Sequence, residues 1–137
     1  MKNAYLSYLL GRLPIAVSMF GHGLVRLPKL DKFSAWMVGS FESTFLPTPF
    51  VTFFSYALPI IELNIGFLLL VGLFTRQAIV AGILVMLVLI FGSSLLEEWQ
   101  NVFIQMMYGA YFAVLLAFAK KYNRYSVDRL FFRKSIL

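Results

Sequence analysis

The sequence predicts an all-α fold: a four-helix transmembrane bundle, with a short interfacial amphipathic helix between spans one and two and a short C-terminal surface helix. Three observations carry that expectation. Hydrophobic residues make up 61% of the 137 residues and charged residues 13%, against about 45–50% and about 25% in soluble domains. Four apolar runs, residues 5–27, 50–74, 76–96 and 102–119, each approach or exceed the roughly 20 residues that cross a hydrocarbon core. Backbone polar groups cannot stay unpaired in lipid, and none of the runs alternates as a barrel strand does, so each is read as a helix. So few charges cannot coat a soluble surface, which excludes a cytosolic enzyme and a disordered tail. The net charge of +6 and a pI near 9.8 would suit nucleic acid if the basic residues clustered on a wet face. Here they flank the apolar runs, as in membrane spans.

The first span holds Arg12 and His22, the second Glu62, and the third has no charge after Arg76. The fourth span is uncharged. Thr75 and Arg76 are expected to form a tight turn that makes spans two and three an antiparallel hairpin, and residues 93–101 join spans three and four. The long connection is 28–49. Within it Phe33, Trp36, Met37, Phe41 and Phe45 recur at three- and four-residue steps among Lys29, Asp31, Lys32 and Glu42, the pattern of an amphipathic helix in the interface, closed by Leu46-Pro47-Thr48-Pro49. After span four, Ser126 is expected to N-cap a short helix with Asp128 in its first turn, continuing through Leu130, Phe131 and Lys134. Lys2 alone precedes the first span and no small-residue cleavage site follows it, so that span is read as retained. All 137 residues are read as one domain.

Four spans bring both termini to one side. That side carries Lys2, Arg76, Lys120, Lys121, Arg124, Arg129, Arg133 and Lys134. The other carries Arg26, Lys29 and Lys32 with Asp31, Glu42, Glu97 and Glu98. The excess of Lys and Arg assigns both termini to the cytoplasm.

Charges inside spans are costly and turn toward a bundle interior or cavity. On a helical wheel Arg12, Ser18, His22 and Arg26 fall on one side of span one, opposite Leu9, Leu10, Leu13, Val17, Phe20 and Leu24. In span two Ser55, Pro59, Glu62 and Gly66 share a seam whose small residues allow close helix approach. Ala78, Gly82, Met86, Leu89 and Ser93 share a side of span three, and Gln105, Tyr108 and Gly109 are the polar and small positions of span four. Arg12, His22 and Glu62 are therefore the ligand or ion-pair candidates, with Ser18, Ser55, Gln105 and Tyr108 as supporting polar groups. Counting about 1.5 Å per residue from the span ends puts Arg12 roughly 10 Å, Glu62 roughly 16–18 Å and His22 roughly 25 Å above the terminal side. On that count a long arginine reaches Glu62, and an Arg12–Glu62 pair is the expected solution. Three alternatives stay open: Glu62 as a protonated packing residue, Arg12 snorkelling to headgroups, and His22 as a solvated or hydrogen-bonded histidine.

With no cysteine and one histidine, one chain builds no disulfide, iron–sulfur cluster or multi-ligand zinc site, and no metal site is expected. Any redox role must borrow a mobile cofactor or that of a partner.

Arg12-Leu13 through Gly21-His22-Gly23-Leu24 and Arg26-Leu27 resembles the first-helix pattern of the DoxX-like membrane proteins. Pro59-Ile60-Ile61-Glu62-Leu63-Asn64-Ile65-Gly66, followed by Gly72-Leu73-Phe74-Thr75-Arg76, resembles the second-helix signature of that family, and Asn123-Arg124-Tyr125-Ser126-Val127-Asp128 its C-terminal tail. The resemblance implies a four-helix bundle in a bacterial cytoplasmic membrane. It also implies association with quinone-linked redox complexes, with quinone as a possible cofactor and a protein partner beside the lipid bilayer. Two readings follow. One is a quinone-interacting accessory subunit of a membrane redox system, with His22, Glu62 and Arg12 around an apolar slot. The other is a non-enzymatic lipophile-binding, assembly or structural subunit. A ligand-sized cavity reaching Glu62 would favour binding, and a packed interior would favour scaffolding.

Overall fold

The computed structural model describes residues 1–132, and those residues form helices without strands. Four helices are long and apolar enough to span a membrane: α1 (Lys2–Arg26), α3 (Thr48–Val71), α4 (Thr75–Leu95) and α5 (Trp99–Tyr122). The expected amphipathic helix is α2 (Leu30–Ser40), and the short surface helix is α6 (Val127–Phe131). Lys134 lies outside the described residues. The long helices run alternately up and down in the ring order α1, α3, α4, α5, each packed on the next and α5 on α1. The start of α1 and the segment 123–132 therefore sit at one end of the bundle, here the terminal end. Helix α2 lies on α3 at the opposite, far end.

Local chemistry sets the boundaries. A 3-10 turn at Leu27–Lys29 carries Pro28 in its opening position and turns α1 into α2. A proline's missing N–H is harmless in a first helical turn, where no partner exists anyway. Pro49 does the same at the start of α3. Helix α3 closes on Gly72, whose φ of 72° is left-handed and whose N–H donates to the Leu68 carbonyl at 2.9 Å. A glycine is needed there both for that φ and for space, because a Cβ would sit 2.6 Å from Ser126 Cβ and 2.8 Å from Arg12 Nη1. The tight turn thus occupies residues 72–74, with Phe74 also left-handed. Thr75 is already the first residue of α4.

The α1–α3 contact is the closest in the bundle. A Cβ on Gly23 would lie 2.5 Å from the Pro59 carbonyl oxygen, and one on Gly66 would run into the backbone of Phe20. The seam read from span two is this contact, and Ser55, Pro59, Glu62 and Gly66 are all buried along it. Gly82 gives similar room to the ring of Phe112, which is fully buried. Around Phe112 the terminal half is filled by Tyr8, Ile15, Leu69, Ile79 and Leu115.

These contacts also fix the register of α1 against α3. Arg12 lies beside Gly72, the residue that ends α3, whereas Gly23 lies beside Pro59 and Leu63. Helix α1 therefore projects past the end of α3 by several turns. That projection packs on the last turns of α5: Tyr8 donates to the Leu115 carbonyl at 2.9 Å, Tyr111 donates to the Gly11 carbonyl at 2.6 Å, and the Tyr5 and Tyr122 rings meet at 6.4 Å.

Candidate functional site

The polar residues of α1 are divided between two places. Arg12 belongs to the terminal end. It is 1% exposed, bonds the Asn123 side-chain carbonyl through Nη1, and donates from Nη2 to the Tyr125 carbonyl at 3.1 Å. Asn123 in turn donates to Thr75 Oγ1 at 3.0 Å. Asp128 accepts from the N–H groups of Phe74 and Thr75 at 2.6 and 2.9 Å, while its own N–H donates to the Gly72 carbonyl at 2.9 Å. The segment 123–128 thus ties α1, the 72–74 turn and the start of α4 together. Ser126 holds the N-cap position of α6, but its hydroxyl donates back to the Asn123 carbonyl at 2.9 Å. Asp128, expected only as a first-turn acid of α6, serves the first N–H groups of α4, which have no intrahelical acceptor.

The expected Arg12–Glu62 pair is not formed. Glu62 is paired with Arg26, Nη1 to Oε2 at 2.7 Å. The cause is the register: counting depth from the two span ends treated them as level, whereas Arg12 lies roughly 15 Å along the helix axis from Glu62, at about 1.5 Å per residue. Arg26, one turn beyond His22 on the same face, stands opposite Glu62 instead. The Arg26 guanidinium also lies over the Phe33 ring of α2 at 4.6 Å, so one cation links α1, α2 and α3.

Above the packed half, the four long helices and α2 line an open-sided cavity of about 730 Å³, within the range of small-molecule sites. Most of its wall is apolar, including Met19, Phe33, Met37, Phe54, Leu58 and Met86. Phe33, Trp36 and Met37 of α2 and Phe41 just after it line this cavity, with Trp36 also largely exposed, as is Phe45. The polar groups on the wall include His22, Arg26, Glu62, Ser93, Gln105 and Tyr108.

The local bonds define what those groups can do. His22 Nδ1 lies 2.7 Å from the Ser18 carbonyl. A carbonyl only accepts, so Nδ1 carries the hydrogen, and in the neutral ring Nε2 is left as an acceptor. Tyr108 bonds Ser18 through the two hydroxyls and meets the His22 ring edge-on at 6.3 Å. Gln105 donates from Nε2 to Ser93 Oγ at 2.9 Å, and its Oε1 is buried without a donor.

Among the sequence candidates, the structure brings His22 and Glu62 to the cavity with Gln105 and Tyr108, and Ser18 stands behind Tyr108. It leaves Arg12 at the other end. Ser55 lies on the seam, donating to Ser34 of α2 at 2.6 Å, and so anchors α2. Sequence reasoning placed Arg26 on the right face without assigning it to Glu62. It gave Asn123 no role beyond the tail motif and Asp128 none beyond the first turn of α6, because their partners lie 48 to 111 residues away.

The four apolar helices make this a multi-pass membrane protein. Neither a curated protein nor a solved structure matches the chain. Residues 7–94, which hold α1 through nearly all of α4 and both walls of the Arg26–Glu62 pair, match the family model for DoxX, and the chain belongs to the DoxX family.

Proposed function

We propose that the protein binds an isoprenoid quinone in the far-end cavity and acts as a quinone-interacting accessory subunit of a membrane redox system. The observation that carries this reading is the cavity itself: about 730 Å³, largely apolar, with His22, Glu62, Gln105 and Tyr108 among the residues of its wall. A ligand of this class needs an apolar slot for its tail and a few hydrogen-bonding groups for its ring. The Met and Phe side chains supply the first, and His22, Gln105 and Tyr108 the second. A bound quinone would supply two-electron, two-proton chemistry. The chain's own residues bind and orient the ring and form hydrogen bonds to it. With no cysteine and one histidine, electrons would pass through a partner's cofactor. The excess of Lys and Arg at the terminal end supports an orientation with both termini inside, and membership of the DoxX family supports a bacterial cytoplasmic membrane.

The test is direct. Protein purified in mild detergent or native nanodiscs is extracted with organic solvent and the extract analysed for quinones. Near-stoichiometric quinone supports the reading, and its loss on Met86→Trp, which adds bulk at the cavity wall, places it there. A second reading, a non-enzymatic lipophile-binding or assembly subunit, is favoured by the engagement of Glu62 with Arg26. It predicts a co-purifying lipid with no redox-active group.

A further inference from the structure

The charges at the terminal end are unbalanced, and two of them are held in place. Of the six acidic side chains, Asp31, Glu42, Glu97 and Glu98 belong to the far end and Glu62 to the cavity wall. Asp128 alone stands at the terminal end, and its two oxygens accept from the N–H groups of Phe74 and Thr75. Arg26–Glu62 is the one ion pair among the described residues. Lys121 and Arg124, both exposed, are held by aromatic rings instead. The Lys121 ammonium lies 5.2 Å from the Tyr122 ring centre, and the Arg124 guanidinium 5.0 Å from that of Tyr5. The two rings are 6.4 Å apart, so the projection of α1 and the last turn of α5 bring both cations to one patch. Next to it, Val114, Phe118 and Tyr122 follow four-residue steps along one face of α5. Val114 and Phe118 are 58% and 50% exposed, and the Phe118 ring meets that of Tyr122 at 5.9 Å.

The geometry points to a binding site at this patch for the headgroup of an anionic phospholipid. Helix α5 has 24 residues, which at about 1.5 Å each is roughly 36 Å. A hydrocarbon core of about 30 Å then leaves Tyr122, at the end of that helix, at the membrane boundary. Tyrosine rings settle at that depth. The sequence of groups is that of a lipid: Val114 and Phe118 against an acyl chain, Tyr5 and Tyr122 at the boundary, and the Lys121 and Arg124 head groups reaching to the phosphate. A guanidinium offers phosphate oxygens a planar fork of N–H donors, and an ammonium adds a compact charge. A soluble phosphate would find the same cations but gain nothing from the apolar strip, so the lipid is the expected occupant. A bias of basic residues toward one side accounts for cations at this end. It does not account for two of them stacked on neighbouring rings above an exposed apolar strip. The inference is independent of what the far-end cavity holds.

The experiment is native mass spectrometry of the full chain in a neutral detergent, titrated with phosphatidylglycerol or with phosphatidylcholine of the same acyl chains. The first phosphatidylglycerol should bind about tenfold more tightly than phosphatidylcholine, on the scale of two cations meeting one anionic headgroup. Lys121→Gln with Arg124→Gln should remove that preference. Arg76→Gln with Arg129→Gln takes the same charge from α4 and α6 at the same end and should leave it intact. Glycerol phosphate added in excess tests a free phosphate as the source and should not displace the lipid. Phosphatidylcholine binding as tightly as phosphatidylglycerol overturns the inference. So does a preference that survives the Lys121 and Arg124 changes, since other residues would then hold the headgroup. An equal loss in both double variants overturns it as well, because the attraction would then be one of net charge. Displacement of the lipid by glycerol phosphate overturns it in favour of a soluble-anion site.

Discussion

Glu62 is 5% exposed at its side chain and Arg26 26%, so the carboxylate has more to lose when the pair is broken by changing its partner. Removing one member of a buried pair can destabilise by about 3–5 kcal/mol, and the partial exposure of Arg26 puts Glu62→Gln toward or below the lower end. Arg26→Met should be the more damaging single change, because it leaves the better-buried charge alone. The double variant Arg26→Met with Glu62→Gln should recover much of either loss, whereas Arg12 and Glu62 substitutions should add without coupling. Thermal denaturation in one detergent across both cycles reads this out, and coupling in the Arg12 cycle would count against the register described. The residue scale also shows where sequence reading stops. Helical periodicity grouped Arg12, Ser18, His22 and Arg26 on one face, and that grouping needs only one helix. Choosing Arg26 over Arg12 as the partner of Glu62 needs the slide of α1 along α3, which is set by Gly23 under Pro59 and Gly66 under Phe20. No spacing within either helix encodes that offset.

At the scale of elements, α1 and α3 are held together by the absence of side chains at those two glycines. Gly66→Ala should force the helices apart and lower thermal stability clearly. Gly21→Ala and Gly109→Ala, where a Cβ meets nothing within 4 Å, should be neutral or slightly stabilising, since alanine is the better helix former by about 1 kcal/mol. The start of α4 offers a second test. Its first N–H groups depend on Asp128, 53 and 54 residues away, and loss of such a cap typically costs about 0.5–2 kcal/mol. Asp128→Ala should fall in that range and Asp128→Asn below it, measured by the same denaturation. The short helix around Asp128 could be read from its local pattern. Its service to α4 could not, because capping in trans leaves no trace in the capped helix's own sequence. Helix α2 was legible in the same partial way. The three- and four-residue recurrence of its aromatics announced an amphipathic helix, but the apolar face of Phe33, Met37 and Phe41 covers a cavity as well as meeting the interface.

The whole molecule has a filled half and a hollow half. Phe112, Tyr8 and Leu115 fill the terminal end, and the segment 123–128 locks it. At the far end the helices border an open-sided cavity and α2 forms part of its wall, anchored by the Ser55–Ser34 bond and by Arg26 beneath Phe33. Four spans and their order could be read from hydropathy alone, whereas the hollow could not, because composition does not distinguish a residue facing a cavity from one facing lipid. Orientation is testable at this scale because the natural chain has no cysteine. In intact bacteria, a cysteine at Glu98 should react with an impermeant maleimide and one at Lys2 should not. The reverse pattern would invert the topology and place the cavity toward the cytoplasm.

The claim on which the rest depends is that the far-end cavity holds a quinone. Native mass spectrometry of the full chain released from its own membranes tests it most directly. The account predicts a one-to-one adduct with the mass of an isoprenoid quinone or quinol, lost in Met86→Trp while the folded protein remains. A folded wild-type chain carrying no such adduct, or an adduct that Met86→Trp leaves in place, would contradict it.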